Sequence, residues 1–165
     1  MSNISYITQV ETLRLPRSVS ATSTEDHSKL ESSSAELAWQ QLCNFEKWPS
    51  WMPDVKMVRV LDENPVGRGT TLVVETHNSK KVWAINCWNA PKKLEFTIES
   101  ENEDLAYGFG ISLNTQENEL EILLNVESSY RGFLRHLAPI LIWKQKRYSR
   151  RLLNSFVQQL QSSTG

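Results

Sequence analysis

Between Lys93 and Val126 the large apolar residues of this chain fall, Leu123 apart, on every second position of three successive segments, and then the spacing changes. Leu94, Phe96 and Ile98 alternate with Lys93, Glu95, Thr97 and Glu99. Leu105, Tyr107, Phe109, Ile111 and Leu113 alternate with small or polar residues, and Leu120, Ile122, Leu124 and Val126 repeat the pattern. A period of two places one face of each strand in a core. The short polar turns between them, Glu101 to Asp104 and Asn114 to Asn118, make the neighbours antiparallel. From Gly132 to about Gln161 the period becomes helical, with Leu141, Leu152 and Phe156 on the apolar side. Pro139 should start or kink that helix within its first two turns. Strands with one apolar face, followed by one long helix to cover them, describe a container as much as a core.

Upstream, Val55 to Leu61, Thr70 to His77 and Lys80 to Trp88 read as strands. They are separated by the turn Asn64 to Gly69 and by a hairpin at Asn78-Ser79, and Asn89-Ala90-Pro91 turns the chain into the later strands. Ser34 is a plausible N-cap for a short helix whose inward face is Leu37, Leu42 and Phe45. Pro49 and Pro53 break that run, so Asn44 to Asp54 forms a second short helix or a turn. The first strand has two candidates. Ile4 to Leu15 alternates, which makes the Ser/Thr-rich residues Pro16 to Ser34 an insertion; alternatively the strand lies near 20–31 and residues 1–17 are an N-terminal extension. Either way the order is strand, two short helices, six strands and a helix, an α+β arrangement of six or seven consecutive antiparallel strands and a terminal helix.

At 165 residues the chain makes one domain, 1–165, able to bury roughly 70% of its unfolded surface. A formal net charge of −1 supplies no global field to recruit nucleic acid. The charge is nonetheless uneven. No acid follows Glu127, whereas Arg131, Arg135, Lys144, Lys146, Arg147 and Arg150 with Arg151 do. Cys43 and Cys87 lack metal or redox spacing and read as reduced core thiols, which suits a cytoplasmic protein. The first residues lack the basic start and apolar run of a signal peptide, and no stretch approaches ~20 apolar residues.

Four motifs in order resemble one superfamily. The segment Ser34 to Val55 carries Trp39, then Trp48-Pro49-Ser50-Trp51, then Pro53-Asp54-Val55. It is followed by Val66-Gly67-Arg68-Gly69-Thr70, by Val82-Trp83-Ala84-Ile85 with Ala90-Pro91-Lys92-Lys93-Leu94, and by Gly132 to Pro139. Over about residues 32–161 this resembles the START / Bet v 1-like (SRPBCC) superfamily, and within it the polyketide cyclase/dehydrase and lipid-transport group. The resemblance implies a helix-grip fold, in which a seven-stranded sheet wraps the C-terminal helix around a hydrophobic cavity. It also implies binding or transport of a lipid, polyketide, sterol-like or quinone-like molecule, with no cofactor. The alternative it allows is a cyclase or dehydratase acting on a polyketide-like substrate. Fold alone does not choose between them.

The strand pattern nominates Trp83, Phe96, Tyr107, Phe109, Ile122 and Leu141 as cavity walls, with Asn86 or Tyr107 orienting a ligand. The plain alternative is that these stripes fill a solid core. Tyr130, His136 and Tyr148 are further polar groups among apolar ones. Glu75 and His77, two apart on one strand, are the weak candidates for an acid/base pair. The scattered His27, His77 and His136 argue against a metal site. Trp39, Trp48 and Trp51 are expected to be structural. Lys144, Arg147 and Arg151 form a stripe that is either a solvated face or a peripheral contact with an anionic membrane. Nothing in the residues fixes an oligomeric state.

Overall fold

The computed structural model describes residues 5–16, 27–62, 64–101, 103–114 and 119–163. Strand β1 (Ser5–Pro16) precedes helix α1 (His27–Cys43), a 3-10 turn (Phe45–Lys47) and the single helical turn α2 (Trp48–Trp51). Strands β2 (Val55–Val60), β3 (Thr71–Thr76), β4 (Lys80–Asn89), β5 (Lys93–Glu99), β6 (Glu103–Asn114) and β7 (Glu119–Tyr130) follow as a meander. A second 3-10 turn (Gly132–Leu137) leads into α3 (Ala138–Ser163). The sheet has seven strands in the order β1-β7-β6-β5-β4-β3-β2, and every neighbouring pair is antiparallel. The helices after β1 therefore carry the chain to the opposite edge, and the meander returns to close against β1. This is an α+β helix-grip architecture.

Burial explains why the strands alternate. Leu94, Phe96 and Ile98 on β5 are buried while Lys93 and Glu99 are exposed, the pattern expected when only one face meets a core. Gly108 sits on the other face of β6, where an added Cβ would lie 3.3 Å from the Glu95 side chain. Pro139 is the second residue of α3, where its missing N–H costs no helical hydrogen bond. The second half of α3 is the half that is buried, through Leu152, Leu153, Phe156, Val157 and Leu160.

The N-terminal part corrects two expectations. Strand β1 occupies 5–16 and pairs with β7, so these residues belong to the sheet, while 27–31 of the other candidate strand are helical; residues 17–26 lie outside the described residues. Helix α1 starts at His27, so Ser34 is helix interior rather than an N-cap, and the first helix has 17 residues rather than a few. Serine costs a helix only about 0.5 kcal/mol. Burying Ala35, Ala38, Trp39 and Leu42 against the core outweighs that penalty and lets the helix propagate backwards.

Candidate functional site

The three tryptophans at the end of α1 and in α2 build one wall of the interior. Trp48 is fully buried, and its indole Nε1–H donates to the Leu42 carbonyl at 2.9 Å. Around it stand Phe45, Trp51, Trp83 and Phe96, with ring centroids 5.1 to 6.0 Å away. Trp51 also packs on Phe156 of α3 at 4.9 Å, and Phe156 in turn faces Phe109 at 6.4 Å. Trp39 meets Trp88 edge-on at 5.1 Å. These rings fill the concavity at that end.

The other end is open. A pocket of about 340 Å³ lies between the first turns of α3, the β3–β4 hairpin and the β5–β6 turn. Its apolar walls are Val74, Trp83, Ile98, Leu105 and Leu141, and its polar groups include Tyr107, Gln145 and Tyr148. Trp83 and Tyr107 stack nearly parallel, 5.5 Å apart with an interplanar angle of 8°. Gln145 Nε2–H donates to the Tyr107 hydroxyl at 2.9 Å, and the Tyr148 hydroxyl donates to the Pro53 carbonyl at 3.2 Å. Burial pushes the Tyr107 phenol up to about 12, with the Gln145 hydrogen bond opposing it. Burial likewise raises Tyr148 above the ordinary tyrosine value. Both phenols are neutral at physiological pH. At the rim stand Asp54, His77, Lys144 and the Lys81–Glu103 ion pair, whose Nζ–Oε2 distance is 3.2 Å.

The residues nominated from the sequence divide between these two ends. Trp83, Tyr107 and Leu141 come together in the pocket. Phe96, Phe109 and Ile122 do not line it; all three are at most 1% exposed, with Phe96 packed on Trp48 and Phe109 on Phe156. Asn86 lies outside. Trp83 and Ile85 point inward, so strict alternation turns Asn86 to the outer face, at a bulge between Ile85 and Cys87. Glu75 and His77 do not form a pair in the pocket. β3 buries Leu72 and Val74, which turns Glu75 outward, and β3 ends at Thr76, which leaves His77 exposed at the rim. His136 is exposed in the 3-10 turn before α3, with its ring near Phe133. Tyr130 lines the pocket. Among the described residues no group of His, Cys, Asp and Glu is arranged to hold a metal ion.

Sequence reasoning missed Gln145 and Asp54, whereas Val74 was already on the inner face of its strand. Gln145 was detectable: it is four residues after Leu141 and three before Tyr148, so one helix face carries all three. Asp54 has a positive φ of 66° and its carbonyl accepts from the His77 N–H at 3.3 Å. Only the folded chain brings those two rim residues together.

Residues 32–157, well over half of the chain, match the family described as polyketide cyclase / dehydrase and lipid transport. The chain belongs to this family. No curated protein matches it. Among solved structures, a START superfamily protein from Mycobacterium smegmatis superposes with a TM-score of 0.63 at 14% identity, covering 93% of this chain and 98% of that one. The Zhui aromatase/cyclase from a Streptomyces species gives 0.66 at 12% identity, covering 99% and 97%. A norcoclaurine synthase point mutant from Thalictrum, in complex with a transition-state analogue, gives 0.66 at 9% identity, covering 99% of each chain. At these identities the likeness is one of fold.

Proposed function

We propose that this family member binds a hydrophobic small molecule in the pocket beneath the first turns of α3. The observation that carries the reading is the pocket itself, about 340 Å³ and walled by Val74, Trp83, Ile98, Leu105 and Leu141. Its volume falls at the lower end of the roughly 300–1,000 Å³ usual for small-molecule sites. The stacked Trp83 and Tyr107 rings offer a flat surface, which favours a ligand with a planar or ring-containing body over a long flexible chain. The Tyr107 hydroxyl and Gln145 amide, already bonded to each other, would orient one polar group of that ligand.

A cyclase or dehydratase activity on a polyketide-like substrate is the second reading, and Tyr107 is what favours it. A buried phenol held in its neutral form can donate a hydrogen bond to a substrate carbonyl as charge develops on its oxygen. The carrier reading needs only the walls, and the Glu75–His77 pair that would have strengthened the enzyme reading is absent from the pocket. Leu105→Trp should fill the space and weaken binding of an apolar fluorescent probe at least tenfold, with the fold retained by circular dichroism. Unchanged probe affinity in the folded variant would overturn the site. Tyr107→Phe separates the readings: a carrier keeps its probe affinity within a few fold, whereas turnover of an aromatic polyketide mimic, if present, should fall about 10²-fold or more.

A further inference from the structure

The face of α3 turned away from the core carries apolar residues that nothing among the described residues covers. Ile140 is 55% and Trp143 60% exposed, and Phe133, in the turn that opens the helix, is 74% exposed. Ile140, Trp143, Lys144 and Arg147 follow one another at helical spacings of three, four and seven, so they share one stripe. Arg147 confirms the geometry, with its guanidinium 5.8 Å from the centre of the Trp143 ring. Between Ser128 and the C-terminus there is no acidic residue, while Arg131, Arg135, Lys144, Lys146 and Arg147 are among the cations. Lys144 also belongs to the pocket rim, three residues after Leu141 and one before Gln145 on the turn of helix that lines it. The stripe and the pocket mouth are therefore continuous.

We infer that this stripe is a docking surface for a lipid bilayer carrying anionic headgroups, with Phe133, Ile140 and Trp143 entering the interface and Lys144 and Arg147 meeting the phosphates. A solvated helix face has no use for an exposed Trp and Ile three residues apart. A bilayer surface uses both halves of the pattern: the apolar rings partition among the headgroups, and the cations are drawn to the negative leaflet. The positive charge of the stripe complements an anionic surface, whereas a second copy docked stripe to stripe would set the same cations against each other. The inference goes beyond the pocket reading and does not require a particular ligand.

The test is co-sedimentation of the full chain with vesicles of phosphatidylcholine alone and of phosphatidylcholine mixed with phosphatidylglycerol. Binding is expected to the mixed vesicles, to weaken as salt rises, and to shift Trp143 emission to the blue. The double variant Ile140→Ser/Trp143→Ser should lose at least tenfold in partitioning, and Arg147→Gln about fivefold, with circular dichroism unchanged because these side chains are exposed. Four results would overturn the inference. They are no binding to mixed vesicles, equal binding to both vesicle types, unchanged partitioning in the double variant, and a wild-type dimer that the double variant converts to monomer. Apolar-probe binding measured on the same variants keeps the two proposals apart: a pocket that fails to take the probe leaves vesicle binding untouched, and the reverse holds.

Discussion

Four residues carry testable consequences of their surroundings. Tyr107 has a folded-state pKa of about 12 against an ordinary 10.0. Below pH 10 the phenol is neutral in both folded and unfolded chains, and its contribution is fully present. Between about pH 10 and 12 the unfolded chain gives up the proton that the folded chain keeps, so stability falls as pH rises, by up to about 1.4 kcal/mol per pH unit. Denaturant unfolding of Tyr107→Phe across that range should show a slope shallower by about one proton. The tryptophans supply a second contrast. Trp48 donates to Leu42 at 2.9 Å, whereas the buried Trp51 Nε1 has no hydrogen-bond partner among the described residues. Trp48→Phe should therefore cost about 1–2 kcal/mol more than Trp51→Phe in equilibrium unfolding, since only the first leaves a buried carbonyl without its donor. Asp54 holds a left-handed backbone between α2 and β2. Asp54→Gly should be neutral or slightly stabilising, and Asp54→Val should cost about 1–3 kcal/mol, because a β-branched side chain is the one least suited to that conformation.

At the scale of elements, α3 divides the interior. Its second half drives Phe156 between Trp51 and Phe109, and its first half presents Leu141, Gln145 and Tyr148 across open space. Phe156→Ala should cost about 3–5 kcal/mol, the usual range for a fully buried phenylalanine. Leu141→Ala should cost far less, because a side chain that already borders a pocket leaves little new void. Thermal unfolding of the two variants checks the difference. A 3.6-residue period reports which face of a helix is apolar, and it found Leu141, Leu152 and Phe156 together. It says nothing of how far each turn stands from the sheet, so Phe96, Phe109 and Ile122 were indistinguishable from Trp83 and Tyr107 in the sequence. Asn86 is different. The alternation of Trp83 and Ile85 already placed it on the outer face, and the bulge beside it only reinforces that outcome.

For the whole molecule, the seven strands were written in the chain because each buries one face, and a period of two is the direct imprint of that half-burial. The terminal helix was written in the same way, and four motifs in order carried the family, which the match over residues 32–157 shows. The start of the fold was less legible. Alternation over Ile4 to Leu15 favoured no choice between two first strands, because pairing with β7 is a contact across more than a hundred residues and leaves no local mark. Helix α1 hid for a related reason: serines with weak intrinsic preference adopt helix when the residues after them are anchored in a core. The pocket was beyond the sequence altogether. Its walls come from β3, β4, β5, β6 and α3, and whether their apolar side chains meet or leave a gap depends on the distance between packed elements. Residue identity decides which side of a strand or helix is apolar; only the tertiary structure decides whether two apolar sides are close enough to fill the space between them.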